Sequence, residues 1–395
     1  MLLLTTSTSE ACTTAIISGK ATIDGRPLLF KQRDTDELNN KLVSFNDGKY
    51  SYIGLVNSKD LGNKAVWGGY NSAGFAIMNS ASYNLNNSDS VKNADNEGFI
   101  MKLALQTCAT LTDFEKLLES LPKPLGINAN FGVIDAQGGA AYYETGNFRF
   151  TKIDVNNPVI APFGYIIRTN YSFSGERVTD KGLIRYNTAQ ELFDRASMTN
   201  SISYSFILKD VSRCLKHSLT KMNLYDNIPS TTQEPVFVNF RDFIPRYSTS
   251  AAIIVQGIKG NESPQLTTMW TILGSPLCSV VIPVWITKNH DLPAILAADT
   301  NGNAKLCTIT LILKKQLFPI EKENGYDYLN LAALLSKDRN GIYQKIVPIE
   351  DQIVSESEKY ITRWRKDGIN EKEALQFYHW VDQFVLESYK NNFGL

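Results

Sequence analysis

The stretch CTTAIISGKATIDGRPLLFKQRDTD, residues 12–36, contains two β-rich runs separated by a turn signal. Thr13 to Thr22 is rich in Thr and Ile, and residues 27–32 form the second run. The pair Asp24-Gly25 between them is the strongest short-range signal for a β-hairpin. A two-residue loop at this pair would place residue 37 opposite Cys12. The charged residues 33–36 would then lie across from the thiol or within a few residues of it.

Gly19 offers a refinement of that pairing. A glycine within a strand often marks a β-bulge, which inserts one extra residue and shifts the register beyond it. With a bulge at Gly19, Asp36 becomes the direct partner of Cys12, and Asp34 lies opposite Thr14. We therefore expect Asp36 to be the aspartate nearest the thiol.

The same cluster bears on the reactivity of the cysteine. An arginine such as Arg33 beside a thiol lowers the pKa of the thiol, and the thiolate is the nucleophilic form. The pairing thus indicates a nucleophilic Cys12. The alternative is a salt bridge at a sheet edge beside a cysteine that only packs.

The rest of the chain alternates blocks of strands with pairs of helices. Turn signals at residues 71–74 and 136–139 predict two more hairpins, and helical periodicity covers Glu97 to Cys108. A capping box at Thr112 opens a second helix, and Ser203 to His217 is predicted to be helical. There is no βαβ rhythm, so we expect an α+β fold in which antiparallel sheets are covered by helices.

The C-terminal tail is predicted to be helical from Ile349 to Asn391, with a break at Asp367-Gly368. No convincing linker separates it from the rest of the chain. We therefore expect one main domain, residues 12–345, and a helical C-terminal extension, residues 346–395, packed on the same domain.

The composition excludes several classes of protein. Lys plus Arg and Asp plus Glu both number 40, which argues against a nucleic-acid partner because such proteins usually carry a basic excess. No apolar run reaches the roughly 18 residues that a membrane span needs. The five cysteines are widely spaced and the three histidines, His217, His290 and His379, are far apart, so neither a disulfide scaffold nor a metal site is expected. No cofactor is expected either.

Residues 1–11 form a short leader. The segment lacks a basic residue and has only four apolar residues in a row, which is short for a secretory signal. Ser9 and Ala11 are nevertheless small residues placed as a signal peptidase prefers before Cys12. The leader is either the remnant of a signal, which implies export, or a polar leader or propeptide of a cytoplasmic protein. A lipoprotein anchor at Cys12 is a third alternative, although such an anchor prefers an apolar residue at the position of Ser9.

Two other pairs of residues could be functional but are better explained by structural roles. Cys214 and His217 are three apart on the predicted helix, but no second pair completes a metal site. Asp135 and Glu144 flank a hairpin in the manner of a glycosidase pair. Ordinary turn and strand-end carboxylates explain this second pair better.

The opening segment carries a family resemblance. Cys12-Thr-Thr, followed by Asp24-Gly25 and then Arg33-Asp-Thr-Asp36, resembles the start of mature N-terminal-nucleophile (Ntn) hydrolases. The similar branch holds penicillin V acylase, bile salt hydrolase (choloylglycine hydrolase) and the fungal acyl-coenzyme A:6-aminopenicillanic acid acyltransferase. That branch carries Asn in the position of Asp34. The resemblance implies a four-layer αββα sandwich of antiparallel sheets, with residues 12–345 as its catalytic domain.

Three later segments match the same branch in order. Gly74-Phe-Ala-Ile-Met-Asn79 resembles the segment with an oxyanion-hole Asn, Ile167-Arg-Thr-Asn170 the segment with a second functional Asn, and Arg246-Tyr-Ser-Thr the segment with a late catalytic Arg. The catalytic residues implied by the resemblance are Cys12, Arg33, Asp36, Asn79, Asn170 and Arg246.

The resemblance also implies a mechanism. Cleavage of the Ala11–Cys12 bond would expose Cys12 as a new N-terminus, whose α-amino group has a pKa of about 7.7–8.0 and can act as the base. The thiol would attack a linear, non-peptide amide and form an acyl-enzyme. Asp36 would orient the amino group, and the two arginines would tune the thiol.

The sequence leaves several points open. A non-catalytic member of the fold, with Cys12 internal and a cleft that only binds a ligand, is the main alternative, and a cysteine peptidase that uses a histidine is a weaker one. The expected partner is a small-molecule N-acyl amide, and a homo-oligomer is not excluded. Neither the acyl group nor the choice between hydrolysis and acyl transfer is determined.

Overall fold

Two antiparallel sheets form the centre of the computed structural model, which describes residues 11–86, 91, 94–176 and 181–395. The six-stranded sheet consists of β1 Thr13–Ile17, β2 Leu28–Asp34, β10 Tyr165–Arg168, β14 Thr249–Gln256, β15 Thr268–Leu273 and β16 Ile282–Val284. Its order is β10-β1-β2-β14-β15-β16. The seven-stranded sheet is a meander of β3 Asn40–Phe45, β4 Tyr52–Asn57, β5 Gly68–Asn71, β6 Ala76–Ala81, β7 Ala129–Ile134, β8 Ala140–Thr145 and β9 Phe150–Asp154.

Shorter strands and eight helices complete the described residues. The short strands pair as two ribbons, β11 Lys216–His217 with β12 Met222–Asn223 and β13 Phe237–Asn239 with β17 Tyr328–Asn330. The helices are α1 Glu97–Thr107, α2 Leu111–Ser120, α3 Leu183–Met198, α4 Tyr204–Phe206, α5 Lys305–Leu317, α6 Leu331–Leu334, α7 Ile342–Asp367 and α8 Glu371–Phe393. The proposed leader, apart from Ala11, lies outside the described residues.

The two sheets pack face to face, with β1 and β2 against β6 and β7. Gly132 of β7 makes this approach possible, because a Cβ there would lie only 2.9 Å from the side chain of Ile16. Helices α1 and α2 cover the outside of the seven-stranded sheet, and α3, α5 and α7 cover the outside of the six-stranded sheet. The fold is therefore the αββα sandwich that the sequence predicted.

The hairpins predicted in the seven-stranded sheet are confirmed. After β5, the side-chain oxygen of Asn71 accepts hydrogen bonds from the backbone N–H groups of Ala73 and Phe75, and Gly74 has a φ of +79°. After β7, Gly138 supplies a φ of +84°. Asn and Gly at these points favour tight turns for the reasons that the sequence suggested.

The register predicted for the first hairpin is wrong. Thr13 pairs with Gln32, and β1 is joined to β2 by a ten-residue connection instead of a two-residue loop. Local side-chain hydrogen bonds stabilise this connection, since Ser18 caps a 3₁₀ turn at Gly19–Ala21 and the Thr22 hydroxyl binds two main-chain carbonyls. The glycine predicted to form a bulge lies in that turn.

The helices observed in the C-terminal tail agree with the prediction, whereas the helix predicted for residues 203–217 does not. Helix α7 ends at Asp367, Gly368 follows with a φ of +84°, and α8 packs through the Tyr378 hydroxyl on the main chain of Trp285. The helix predicted for residues 203–217 stops after a π-helical turn at Ile207–Val211. The division at 345/346 stays a prediction and falls within α7. No helix among the described residues is long and apolar enough to cross a bilayer.

Candidate functional site

Cys12 lies immediately before β1 and is 5% exposed. Continuing the register of β1 and β2 by one residue places Arg33 opposite it. The Thr14 hydroxyl accepts a hydrogen bond of 2.9 Å from Tyr142 of the seven-stranded sheet, so this face of β1 is the inner one. Because side chains alternate along a strand, Cys12 is placed on the same inner face, between the sheets.

Arg33 is held beside the cysteine by the seven-stranded sheet. Its Nη1 donates to Asn40 Oδ1 at 2.6 Å, and the guanidinium carbon lies 5.0 Å from the centroid of the Trp67 ring. The arginine is 2% exposed. A buried cation therefore lies next to the position of the thiol, as the sequence predicted.

Asn79 enters the same space from β6, and a lysine that the sequence analysis did not single out orients it. Lys31 Nζ donates to Asn79 Oδ1 at 2.6 Å and to the Trp67 carbonyl at 2.7 Å. An ammonium can bond only to the amide oxygen, so the amide NH₂ of Asn79 points away from it. No acceptor for that NH₂ is found among the described residues. Asn79 is thus arranged to donate to a bound group.

Two arginines hold consecutive carbonyl groups on either side of the Ala11–Cys12 bond. Arg246 Nη2 donates to the Ala11 carbonyl at 2.8 Å, and Arg185 Nη1 donates to the Cys12 carbonyl at 2.6 Å. The Ala11 N–H also donates to the Asp34 carbonyl at 3.3 Å. The carbonyl of the bond predicted to be cut therefore has a cationic donor in place.

Asp34, and not Asp36, is the aspartate found in this group. Its Oδ2 accepts from Arg246 Nε at 2.8 Å and from Nη2 at 2.6 Å, and Oδ1 accepts from the Thr249 hydroxyl at 2.6 Å. Asp36 lies two residues beyond the end of β2 and is exposed. The expectation that Asp36 faces Cys12 is wrong because the longer connection moves the register. The catalytic role that the resemblance gives to Asp36 stays a prediction.

Asn170 reaches the site from the end of β10. Its Nδ2 donates to the Ala81 carbonyl at 3.1 Å, and its Oδ1 accepts from Arg185 Nη2 at 2.6 Å. The structure therefore brings Cys12, Asn170 and both arginines together.

Arg185, like Lys31, is a residue of this site that sequence reasoning missed. It lies on the buried face of α3, and burial, followed by the nearby charge of Arg246, lowers its pKa to about 9. Gly182 lies one turn earlier, where a Cβ would be 2.5 Å from Arg185 Nη2. The sequence did contain a signal for Arg185. At helical spacing it falls on the same face of α3 as Thr188 and Phe193, and that buried face is otherwise uncharged.

The other carboxylates considered from the sequence have structural partners. Glu144 Oε1 accepts from Arg168 Nε at 2.7 Å, and both its oxygens bind backbone N–H groups. Asp135 accepts from three backbone N–H groups, including that of Leu111 at the start of α2. Neither is arranged as a glycosidase acid. The described residues contain no group of three potential metal-binding side chains.

Comparisons with known proteins identify a family for this chain. The family model for acyl-coenzyme A:6-aminopenicillanic acid acyltransferase matches residues 24–232, more than half of the chain. The match begins after Cys12 and ends before Arg246. The sequence matches no curated protein at a significant level.

Solved structures of related acylases are similar at low identity. An N-acylethanolamine-hydrolyzing acid amidase ortholog from Caenorhabditis elegans is 14% identical, with coverage of 64% of this chain and 93% of that one and a TM-score of 0.37. Penicillin V acylase from Agrobacterium tumefaciens is 13% identical, with coverage of 70% and 86% and a TM-score of 0.39. A conjugated bile acid hydrolase from Clostridium perfringens is 11% identical, with coverage of 71% and 94% and a TM-score of 0.38. On the family match, the chain belongs to the acyl-coenzyme A:6-aminopenicillanic acid acyltransferase family.

Proposed function

We propose that the protein is a cysteine Ntn amidohydrolase or acyltransferase that cleaves a linear, non-peptide amide through an acyl-enzyme on Cys12. One observation carries the proposal. The Ala11–Cys12 peptide lies between two arginines that bind its flanking carbonyls at 2.8 Å and 2.6 Å. This arrangement supports chemistry at that bond and at the thiol beside it.

Maturation is the first step of the proposal. The Cys12 thiol adds to the Ala11 carbonyl carbon, the C–N bond breaks as the nitrogen takes a proton, and a thioester forms. Water then hydrolyses the thioester to leave the Ala11 carboxylate and a free Cys12 amine. Negative charge develops on the Ala11 oxygen during the attack, where Arg246 Nη2 already donates. A donor fixed in advance at a developing charge stabilises the transition state.

Turnover uses the new amino group. An amine with a pKa of about 7.7–8.0 accepts the thiol proton near neutral pH and returns it to the leaving amine of the substrate. The NH₂ of Asn79 is oriented to donate to the substrate oxyanion, because Lys31 occupies the other end of its amide. Arg33 favours the thiolate by its charge. Water completes hydrolysis of the acyl-enzyme, and an amine in its place completes acyl transfer.

Asn170 and Arg185 have a positioning role in the proposal. Arg185 Nη1 also donates to the Thr13 hydroxyl at 2.9 Å, so the guanidinium connects the backbone at Cys12 with the amide of Asn170. A displacement of either would move the thiol relative to the bound amide. Proximity of reacting groups accounts for a large part of enzymatic acceleration.

The test combines the mass of the purified protein with a substrate panel. We expect the purified protein to lack residues 1–11. We also expect it to turn over at least one member of a panel of N-acyl amino acids, penicillin V and conjugated bile acids, with the products identified by mass. Cys12→Ala should abolish both. Cys214→Ala is the matched control, since that cysteine is also 5% exposed and lies outside the site.

Two outcomes contradict the proposal. Equal turnover by a chain whose residues 1–11 are verified intact excludes the amino group as the base. Binding of an amide without cleavage of it, in a chain with Cys12 still internal, identifies a non-catalytic, ligand-binding member of the fold.

A further inference from the structure

A cavity of about 300 Å³ lies on the outer side of the six-stranded sheet, between α5 and the segment after β2. Its walls include the aliphatic and aromatic side chains of Leu38, Tyr247, Leu311, Phe318 and Tyr326. Its volume is at the lower end of the roughly 300–1,000 Å³ found for ligand pockets. Cys12 belongs to the inner face, whereas this cavity lies on the outer face and is bordered by Asp36 and by Tyr247, the neighbour of Arg246.

The polar group at the cavity wall is the amine of Lys314. This residue lies on the buried face of α5, among leucines and a cysteine, and is 2% exposed. Its Nζ donates to the Thr249 carbonyl at 3.1 Å and lies 4.8 Å from the centroid of the Tyr247 ring. Among the described residues, no carboxylate lies within 4.0 Å of it.

An ammonium group has three donors, and the protein uses one of those of Lys314. Burial lowers the pKa of Lys314 to about 8, because its surroundings supply too little negative charge to offset the lost hydration. Buried charges in proteins are normally paired. The cavity therefore presents a cationic donor that is complementary to an anion the protein itself does not provide.

The mouth of the cavity limits which anion fits. Asp36, Glu37 and Glu321 border it, and Lys315 is the other charged residue of the lining. Glu37 forms an ion pair with Lys59, and the lining as a whole contains three carboxylates and two lysines. A second negative charge at the outer end of a ligand would meet these carboxylates.

We propose that this cavity binds a small monocarboxylate with an apolar body, whose carboxylate accepts hydrogen bonds from Lys314 Nζ. The apolar body contacts the aliphatic and aromatic walls, and the single charge lies at the inner end. The proposal does not depend on the chemistry at Cys12, since it concerns binding at the opposite face of the sheet.

Calorimetric titration of the full chain with octanoate tests the proposal. We expect one-site, saturable binding with a Kd below about 1 mM, and at least tenfold weaker binding of 1-octanol, which has the same chain length without the charge. Lys314→Met should weaken octanoate binding about tenfold or more, since the straight apolar side chain keeps the volume and loses the donor. Lys305→Met is the matched control, because it changes an exposed lysine of the same helix outside the cavity lining, and it should stay within about twofold.

A second variant keeps the test decisive if Lys314→Met folds poorly. Leu311→Trp adds bulk at the cavity wall, where Leu311 is partly exposed, and should abolish octanoate binding. Absence of saturable binding to the natural protein overturns the proposal. Equal binding by Lys314→Met, by Leu311→Trp or of 1-octanol overturns it as well.

Discussion

Two buried arginine–carboxylate pairs use the same chemistry in opposite ways. Arg213 and Glu350 form a pair whose side chains are 1% and 5% exposed, and the remaining donors of Arg213 bind the main-chain carbonyls of Leu208, Pro276 and Ser279. Arg246 and Asp34 form the other pair, but the arginine is 18% exposed and donates to the carbonyl next to Cys12. The first pair joins the helical turn at Leu208, the loop at residues 276–281 and helix α7, whereas the second keeps a donor directed at a bond.

The comparison teaches how to separate a structural charge pair from a functional one. Both carboxylates are buried, so the burial of the acid does not distinguish the pairs. The difference lies in where the remaining donors go: into three fixed carbonyls for Arg213, and to the Ala11–Cys12 peptide for Arg246. We therefore expect loss of stability from one and loss of chemistry from the other.

The structural pair should show the largest effect. Arg213→Met leaves the Glu350 carboxylate buried with the Val281 N–H as a remaining donor, and breaking such a pair typically costs roughly 3–5 kcal/mol. We expect that loss in the free energy of unfolding, measured with urea. The double variant Arg213→Met/Glu350→Met should recover much of it, because it removes the uncompensated charge. A loss below about 1 kcal/mol in the single variant would contradict the structural role.

The pair beside Cys12 should show its effect in rate. Arg246→Gln removes the cationic donor from the Ala11 carbonyl, and loss of one such donor typically costs roughly 100-fold or more in rate. The measurement is the rate of loss of residues 1–11, followed by mass, together with turnover. The urea midpoint should shift less than it does in Arg213→Met. Unchanged cleavage in Arg246→Gln would show that the contact to Ala11 has no part in maturation.

The two aspartates test the register directly. Asp34→Asn removes the anion from Arg246, and we expect turnover to fall about 10- to 100-fold, the equivalent of the roughly 1.5–3 kcal/mol of a charged hydrogen bond. Asp36→Asn changes an exposed carboxylate two residues later, and we expect its effect on turnover to be smaller than that of Asp34→Asn. The opposite result would favour the role that the resemblance gives to Asp36, and the contacts of Asp34 would then be structural.

The sequence predicted the architecture because its turns are encoded locally. Asn71 with Gly74, and Asp135 with Gly138, form the turns that their residue types favour, and the strands between them alternate in a regular way. The register predicted for the first hairpin was wrong because Ser18 and Thr22 form side-chain hydrogen bonds within a longer connection. These side-chain hydrogen bonds are also local features of the sequence. The prediction relied on the turn signal at Asp24-Gly25 instead of on them.

Sequence analysis named the site residues that lie in recognisable motifs. It missed the charged residues whose only signal was their position among buried apolar neighbours. The structure brings Arg33, Asn79 and Arg246 to the end of β1 near Cys12. Lys31, inside a buried strand, binds Asn79, and Arg185, on the buried face of a helix, binds the Cys12 carbonyl and Asn170. A charge at a buried position costs free energy, so it is a signal that sequence periodicity can show.

The smallest effect concerns Lys314, the buried cation without a carboxylate. Its pKa is lowered from 10.5 to about 8 by burial, so between these values the unfolded chain holds a proton that the folded chain lacks. Stability therefore rises with pH in this window relative to a variant without the amine, by on the order of 2 kcal/mol. We expect the stability advantage of Lys314→Met over the natural protein to be largest below pH 8 and to shrink towards pH 10.

The groups facing the amine do not obscure this pH dependence, because burial raises the pKa of Tyr247 and Cys278 to about 12 and of Cys307 to about 11. Asp34, the remaining charged group that acts on the amine, forms an ion pair with Arg246. Urea unfolding at pH 7, 8, 9 and 10 measures the difference, and Lys315→Met should give a flat profile. A flat profile for Lys314→Met as well would mean that the amine stays protonated in the folded protein, with a partner that offsets its burial.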